Sequence, residues 1–395
     1  MKTIQAFTNE IDDLDIALKE LESQIDTSEL LTNSCAIVFC GYEVDTEEFT
    51  RRLEETFHIP FIGCTSIGML NSKGYTQSSI TVTILTADDC TFTAGITDEI
   101  VCNEEMDKLE EKYRELSSKL EEKEKLIIAY TAWDPDIEAD NVVDILDNIS
   151  GGVPVFGGIA SDGWSFNEDF VFYGSELSRK KIVLLLISGN IDPIFSIAHS
   201  VKKSSNMNKV VTRSKGNLVY TIDDQPIVDY LEENGFGGGK TDVMLDYLGT
   251  PFKIRVKTHD NDMVEILRCL VSQDQKKKTC KFLGKVPEGC EMSMVLLGKK
   301  DIEVSAKNTF HTMLSMINER KDRKYSLILC SSCVARYSLI VSDKNVEGRA
   351  YAYKLPEGLN LCGYYGFSEF CPANGKDVGG LYNTLNNESL TLMAI

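Results

Sequence analysis

The chain has few of the residues and segments on which many common activities depend. Its 395 residues include only four histidines and two tryptophans. The longest apolar run, residues 182–188, is far shorter than the roughly 20 residues of a membrane-spanning helix and is typical of a buried strand. The first ten residues lack the apolar core of a signal peptide. These absences predict a soluble protein that stays in the cytoplasm.

Positive charge is also scarce. The chain carries 41 lysines and arginines against 61 aspartates and glutamates, which gives a formal net charge of -20. A surface with this surplus repels a phosphate backbone and an anionic membrane. We therefore expect neither nucleic acid nor membrane insertion, and we interpret the acidic surplus as a solubility feature.

Cysteine is abundant, but its pattern does not indicate a disulfide framework or a metal site. The twelve cysteines of a cytosolic protein are expected to be reduced thiols that pack as small hydrophobic residues. Cys330 and Cys333 form one C-x-x-C pair, whereas a closed zinc site needs two further ligands. The sequence therefore predicts no metal and no cofactor.

Hydrophobic periodicity predicts an α+β protein in which helices pack on mostly antiparallel or mixed sheets. The length favours two domains, which we place at residues 1–222 and 223–395. In the first half, a helix, a strand that ends in small residues and a hairpin occur twice. Helices are predicted at residues 45–57, 103–125, 137–149, 225–233 and 306–320. Strands are predicted at residues 59–64, 79–86, 90–96, 126–131, 153–156, 170–173, 181–188, 210–212, 218–222, 252–256, 264–271, 281–283, 292–297, 326–330, 359–365 and 390–394.

Two segments invite a catalytic interpretation. Residues 234–241 end in Gly-Lys-Thr like a phosphate-binding loop, but Asn234 replaces the first glycine and a helix, not a strand, precedes them. We interpret this stretch as a helix end followed by a loop. Cys64 ends a predicted strand, where a nucleophile is exposed to backbone N–H groups, and Ser66 follows it. A packed thiol and a cysteine- or serine-dependent hydrolase or transferase both remain open for this position.

Several strand-end segments, taken in order, resemble the N- and C-terminal parts of the FIST family over roughly residues 30 to 395. The segments are Gly63–Gly68 (GCTSIG), Phe156–Gly163 (FGGIASDG), Leu329–Arg336 (LCSSCVAR), Gly363–Pro372 (GYYGFSEFCP) and Asn387–Leu392 (NESLTL). The chain departs from the family pattern at Met69, where glutamate is expected, at Ser161, and at Phe367 and Ser368, where the family tends to place glycine.

The resemblance implies an intracellular sensory protein that recognises a small polar molecule, with amino acids among the candidates, and that passes the signal to a separate protein without catalysis. Such a site needs a cation, an anion and oriented hydroxyl or amide groups. Its expected ligand-binding residues are Cys64, Thr65, Ser66, Gly158, Asp162, Arg336, Glu369 and Asn387. Two alternatives stay open, in which Arg336 and Glu369 form a structural ion pair or the protein is a scaffold without a ligand.

Overall fold

The computed structural model describes residues 1–198, 209–235, 248–258, 260–351, 355–377 and 379–395. The helices are α1 (Leu14–Glu22), α2 (Thr46–Phe57), α3 (Asp107–Ser117), α4 (Ala139–Ser150), α5 (Ile227–Glu233), α6 (Lys299–Glu319), α7 (Val334–Leu339) and α8 (Gly348–Tyr351), with 3-10 turns at Thr27–Glu29 and Asn103–Glu105. Within these residues, no helix is both long enough and apolar enough to cross a bilayer.

Strands outnumber helices and assemble into mixed and antiparallel sheets, which confirms the predicted α+β class. The strands are β1 (Lys2–Thr8), β2 (Asn33–Gly41), β3 (Phe61–Ser66), β4 (Met69–Asn71), β5 (Gly74–Thr76), β6 (Ile80–Ala87), β7 (Cys90–Ile96), β8 (Leu126–Thr131), β9 (Val155–Ile159), β10 (Val171–Tyr173), β11 (Glu176–Ser178), β12 (Ile182–Gly189), β13 (Ile194–Ala198), β14 (Lys209–Lys215), β15 (Leu218–Ile222), β16 (Gln225–Pro226), β17 (Phe252–Lys257), β18 (Met263–Arg268), β19 (Leu270–Asp274), β20 (Thr279–Phe282), β21 (Glu291–Met294), β22 (Leu327–Cys333), β23 (Asn360–Gly366), β24 (Ser368–Asn374), β25 (Leu381–Asn386) and β26 (Leu390–Ala394).

Local signals explain where the helices begin and end. The Asp45 carboxylate caps α2 by accepting the Glu48 N–H, and α2 ends at His58, which takes the left-handed conformation with a φ of 52°. The predicted helix over residues 103–125 is wrong beyond Ser117. There the hydroxyls of Tyr113 and Ser117 donate to the buried Glu124 carboxylate, so the chain folds back toward the helix instead of extending it.

One supersecondary unit occurs three times, at residues 33–96, 126–198 and 327–394. In each unit a strand, a helical connection and a second strand form a parallel pair, namely β2 with β3, β8 with β9 and β22 with β23. A later strand of the same unit returns antiparallel to the first, namely β6 on β2, β12 on β8 and β26 on β22. The twofold repetition predicted in the first half is therefore part of a threefold arrangement.

Each unit donates its hairpin to a neighbouring unit, which closes the three sheets into a ring. The hairpin of β4 and β5 pairs with β23, that of β10 and β11 pairs with β3, and that of β24 and β25 pairs with β9. The last strands of the first two units also pair with the next unit, since β7 lies on β12 and β13 lies on β26. The N-terminal strand β1 takes the corresponding place on β6 of the first unit. No sheet of the ring is therefore complete without another unit.

An apolar core lies between the three sheets of the ring. Phe39, Tyr130 and Tyr364 come from one sheet each, and their ring centroids are 4.7, 5.5 and 5.7 Å apart. The outer faces of the sheets pack against helices, with α1 and α2 on the first sheet and α3, α4 and α6 on the other two. Burial on both faces explains why β8 and β12 are continuous apolar runs.

A separate sheet is inserted between the second and third units. Strands β14 to β21 with α5 have their own apolar core, and α6 then returns the chain to the ring, where it packs on β13 and β26. The predicted boundary at residue 222 falls at the end of β15, inside this insert. Because two sheets of the ring combine strands from both sides of that position, the division into two domains stays a prediction.

Candidate functional site

The three units meet where their second strands end. Each of these strands contains a glycine, Gly63, Gly157 or Gly363, at the same register position. A Cβ atom there would lie 1.9, 2.0 or 2.5 Å from a carbonyl oxygen of the paired strand, so only glycine fits. In each unit the glycine therefore lets the second strand lie close against its parallel partner.

Backbone hydrogen bonds join the three strand ends into a junction. The Ser161 N–H donates to the Thr65 carbonyl, and the Phe367 N–H donates to the Ile159 carbonyl, each over 3.1 Å. The Ser161 hydroxyl donates to the carbonyl of Tyr365. The junction thus brings together the segments whose order suggested a common site, although they are up to about 300 residues apart in sequence.

Two of the expected ligand-binding residues have their hydroxyls engaged in holding this junction. The Ser66 Oγ lies 2.6 Å from the Gly68 carbonyl and 3.0 Å from the Tyr365 carbonyl, and it accepts the N–H of Tyr365 over 3.1 Å. The Thr65 Oγ1 accepts the Phe170 N–H over 2.9 Å. Both residues are fully buried, so their hydroxyls act structurally.

Asp162 organises the loop that follows β9. Its carboxylate accepts the backbone N–H groups of Ser165, Asn167 and Glu168, each over 3.0 Å, and the Ser165 hydroxyl over 2.7 Å. Burial opposes ionisation, but these hydrogen bonds outweigh it and hold the pKa of Asp162 below its usual value. The carboxylate is thus already satisfied within its own loop.

Cys64 is placed as a packed thiol. It is fully buried, and burial raises the pKa of its thiol well above the usual value, with smaller contributions from Cys40 and Cys362. A nucleophilic cysteine needs the opposite shift, because the thiolate is the reactive form. The geometry therefore offers no activation for a Cys64 nucleophile.

Gly158 and Glu369 lie together beside the inner core. A Cβ on Gly158 would lie 2.8 Å from the Tyr364 hydroxyl and 3.2 Å from the Glu369 Cα. The missing side chain of Gly158 therefore leaves room for the Tyr364 ring. Among the described residues the Tyr364 hydroxyl has no hydrogen-bond partner, and burial followed by the neighbouring Cys64 raises its pKa.

Arg336 is fully buried in α7 and pairs with Glu347, not with Glu369. Its Nε and Nη2 lie 2.9 and 2.6 Å from the Glu347 Oε1, and its Nη2 donates to the Ser305 Oγ over 3.0 Å. The other Glu347 oxygen accepts the hydroxyls of Ser332 and Tyr365, each over 2.8 Å, which fixes the carboxylate toward Arg336. The alternative of an Arg336–Glu369 ion pair was therefore wrong about the partner.

Two further glutamates are buried near Arg336. Glu369 accepts the Ser389 hydroxyl at its Oε2 over 2.6 Å, and burial raises its pKa well above the usual value. Glu388 accepts the Cys269 thiol at its Oε1 over 3.3 Å and has a φ of 49°. Burial raises the pKa of Glu388 to about 7, against the opposing effects of Cys269, a Gly249 N–H and Arg336.

Asn387 ties this region to the insert. Its Nδ2 donates to the Ser368 Oγ over 2.8 Å, and its Oδ1 accepts the Cys269 N–H over 3.1 Å. Its side-chain amide is therefore used within the protein. It connects the strand that carries Glu369 to the turn between β18 and β19.

We call Arg336, Glu347, Glu369 and Glu388 the charged cluster. The Arg336 charge opposes the rise that burial causes in the pKa of Glu369 and Glu388. Burial raises the pKa of the Cys269 and Cys333 thiols, and both glutamates add to that rise, so these groups share one buried region. Among the described residues, the Arg336 Nη1, the Glu369 Oε1 and the Glu388 Oε2 have no hydrogen-bond partner of normal geometry. The Cys333 thiol and the Gly249 N–H nevertheless lie near the Glu369 and Glu388 carboxyls and oppose the rise in their pKa. The described part of the chain contains no group of three or more side chains placed to hold a metal ion.

A cleft of about 560 Å³ lies between α6 and β13. Ser305 lines this cleft and also accepts the hydrogen bond from Arg336. Arg336 is therefore separated from the cleft by one small side chain. The volume is in the range that small-molecule sites occupy.

Sequence reasoning placed Arg336 and Glu369 in one region but missed Glu347, Glu388 and Cys269. Glu347 belongs to a polar stretch that is typical of an exposed loop, and Cys269 lies in the insert, far from the family motifs. Glu388 was the one that could have been found, because it directly follows Asn387 in a segment that was singled out. Most of residues 234–241, the phosphate-loop-like stretch, lie outside the described residues.

Both halves of the chain match models of known protein families. A model of the FIST N domain matches residues 34–225, and a model of the FIST C domain matches residues 229–372. Together the two matches cover more than half of the chain.

Individual relatives are more distant. An uncharacterised protein of Methanocaldococcus jannaschii is 24% identical over 304 residues, which cover 71% of this chain and 56% of that protein, so the chain spans little more than half of its relative's length. A solved structure of cyanuric acid hydrolase superposes with a TM-score of 0.36 at 7% identity, over 100% of this chain and 98% of the other. A superposition this loose carries no functional argument.

Proposed function

This chain belongs to the FIST family, whose domains are associated with sensory signal transduction, and we propose that it binds a small polar metabolite at the charged cluster without catalysing a reaction. Amino acids are among the candidate ligands. The protein acts in the cytoplasm and passes the signal to a separate signalling protein.

One observation carries the proposal. Three fully buried charged side chains, Arg336, Glu369 and Glu388, each keep one polar atom without a partner among the described residues. A buried polar atom without a hydrogen bond costs roughly 1–3 kcal/mol, and more when the group is charged. A protein that is selected only for stability has no reason to hold three such atoms in one region, whereas a binding site uses them for its ligand.

Two neighbouring features support the same site. The cleft is lined by Ser305, whose hydroxyl accepts a hydrogen bond from Arg336, so one side chain connects the wall of the cleft to the cluster. Glu388 takes a left-handed backbone conformation that is uncommon for any residue with a side chain. Such strain clusters at functional sites, because the surrounding structure holds it in place.

The proposal is tested by screening amino acids, organic acids and amines for thermal stabilisation of the purified protein. A ligand that binds only the folded state raises the melting temperature by mass action. We expect at least one class of compound to do so, and native mass spectrometry to detect the bound molecule at one per chain.

A pair of variants connects the result to the cluster. Glu369→Gln keeps the shape of the side chain but changes its charge and hydrogen-bonding pattern, and we expect it to weaken binding at least tenfold. Glu319→Gln, at an exposed position at the end of α6, is the matched control and should bind like the parent protein. A ligand that stabilises both variants equally would place the site elsewhere, and a protein that binds nothing in either assay would refute the sensing proposal.

A further inference from the structure

The charge balance of the buried region identifies the chemical class of the ligand, given the proposed site. The charged cluster contains three carboxyl groups and one guanidinium, and all four side chains are at most 1% exposed. Glu347 and Arg336 neutralise each other through two contacts of 2.6 and 2.9 Å. Glu369 and Glu388 are left without a positive partner of their own.

The atoms without a hydrogen-bond partner are also mainly acceptors. Two of them, the Glu369 Oε1 and the Glu388 Oε2, are carboxyl oxygens, and only one, the Arg336 Nη1, is a donor. The other oxygen of each glutamate is held in place, by Ser389 and by Cys269 respectively, so the free oxygens have defined positions. Both carboxyl groups are therefore held in place as hydrogen-bond acceptors, in a region that contains more carboxyl groups than positive charges.

We propose that Glu369 and Glu388 together bind an organic cation, such as a primary ammonium group, in the region beside Arg336. Pairing with a cation supplies the charge compensation that two buried carboxylates otherwise lack. An organic cation is favoured over a metal ion, because the described residues contain no group of side chains placed to hold one. This inference rests on the proposed sensing site and predicts that its ligand carries a positive charge.

Binding of a cation is then linked to release of a proton. The titratable and charged groups that act on the two glutamates are Arg336 and the thiols of Cys269 and Cys333. The hydroxyl and N–H of Ser389 also act on Glu369, and the Gly249 N–H acts on Glu388. Burial raises the pKa of both carboxyls, that of Glu388 to about 7, so near neutral pH Glu388 holds a proton in part of the free protein. A bound cation favours the ionised form and expels a proton, so cation affinity rises with pH.

The test uses three probes of equal size, namely n-butylammonium, butyrate and 1-butanol, at constant ionic strength. We expect butylammonium to raise the melting temperature by at least about 2 °C at pH 8, and by less at pH 6. Butyrate and butanol should leave it unchanged. Calorimetric titration with butylammonium in phosphate and in HEPES, whose ionisation enthalpies differ and neither of which carries a primary amine, should report release of a proton on binding.

Variants separate a specific site from general salt effects. Glu388→Gln should lose the stabilisation by butylammonium and its dependence on pH, whereas Glu319→Gln at the exposed end of α6 should keep both. Stabilisation by butyrate that is stronger at pH 6 would show that Arg336 binds the charged group of the ligand. That result would overturn the cation assignment and leave the sensing proposal intact.

If none of the three probes stabilises the protein, the cation assignment fails. The broad ligand screen then decides the sensing proposal separately.

Discussion

At the scale of single residues, burial changes the roles that the sequence predicts for the polar side chains. Thr65, Ser66, Asp162 and Asn387 have the polar groups that a ligand needs, but each uses them on the protein itself. The groups left over are charged and buried. Sequence alone identifies which residues are polar, whereas only the positions of their neighbours decide which are already satisfied.

Glu388 makes the stability of the protein depend on pH. Burial raises the pKa of Glu388 to about 7 from a usual 4.5, so between these values the folded protein binds a proton that the unfolded chain releases. Stability must therefore fall as pH rises through this window, by roughly 3 kcal/mol for a shift of this size. We expect the difference in free energy of unfolding between Glu388→Gln and the parent protein to grow in favour of the variant from pH 5 to pH 8.

Urea unfolding at several pH values measures this difference. Asp169, whose pKa burial raises to about 6, titrates in both proteins and cancels in the comparison. Parallel pH profiles for the two proteins would contradict the assignment of a near-neutral pKa to Glu388.

At the scale of elements, the strand-helix-strand unit explains why glycine recurs at the strand ends. Gly63, Gly157 and Gly363 occupy equivalent positions, where a carbonyl oxygen of the paired strand fills the space of a Cβ. The sequence pattern indicated strands that end in small residues at the first two turns. The third glycine and its equivalence to the others became apparent only from the strand pairing.

Replacing Gly63 by alanine should destabilise the protein by about 3 kcal/mol or more, at the upper end of the range for overpacking. The added Cβ would lie 1.9 Å from a backbone oxygen of β2, which cannot move without breaking the parallel pair. Gly95→Ala in β7 is the control, because the nearest atom to its Cβ is the tip of the Leu116 side chain, 3.1 Å away. Chemical denaturation of both variants measures the effect, and equal losses at the two positions would refute the explanation.

At the scale of the whole molecule, exchange of hairpins makes the ring interdependent. The second sheet needs β24 and β25 from the third unit, and the third sheet needs β4, β5 and β13 from the first two units. The inner core is likewise lined by residues from all three sheets. The insert is different, because it has a core of its own and connects to the ring through contacts such as the buried pair of Arg268 and Asp140.

A fragment comprising residues 1–222 should not fold alone. Without the third unit, β9 loses its partner β24, and Phe39 and Tyr130 lose contact with Tyr364 in the inner core. Circular dichroism and urea unfolding of the fragment should reveal no cooperative transition, whereas co-expression with residues 223–395 should restore one. A cooperatively folded, monomeric 1–222 fragment would instead establish that part as an independent domain.

The sequence by itself was sufficient for the family, the α+β class and most of the strands, because apolar runs, turn residues and ordered motifs are local signals. It also predicted that Arg336 and Glu369 lie in one region, which stays a prediction as a binding site. Only the tertiary structure decided that hairpins are exchanged, that Arg336 pairs with Glu347, and that Glu388 and Cys269 face each other. These outcomes depend on which strand edges meet across hundreds of residues and on how much water the assembled ring excludes. Neither property can be determined from a single segment of the sequence.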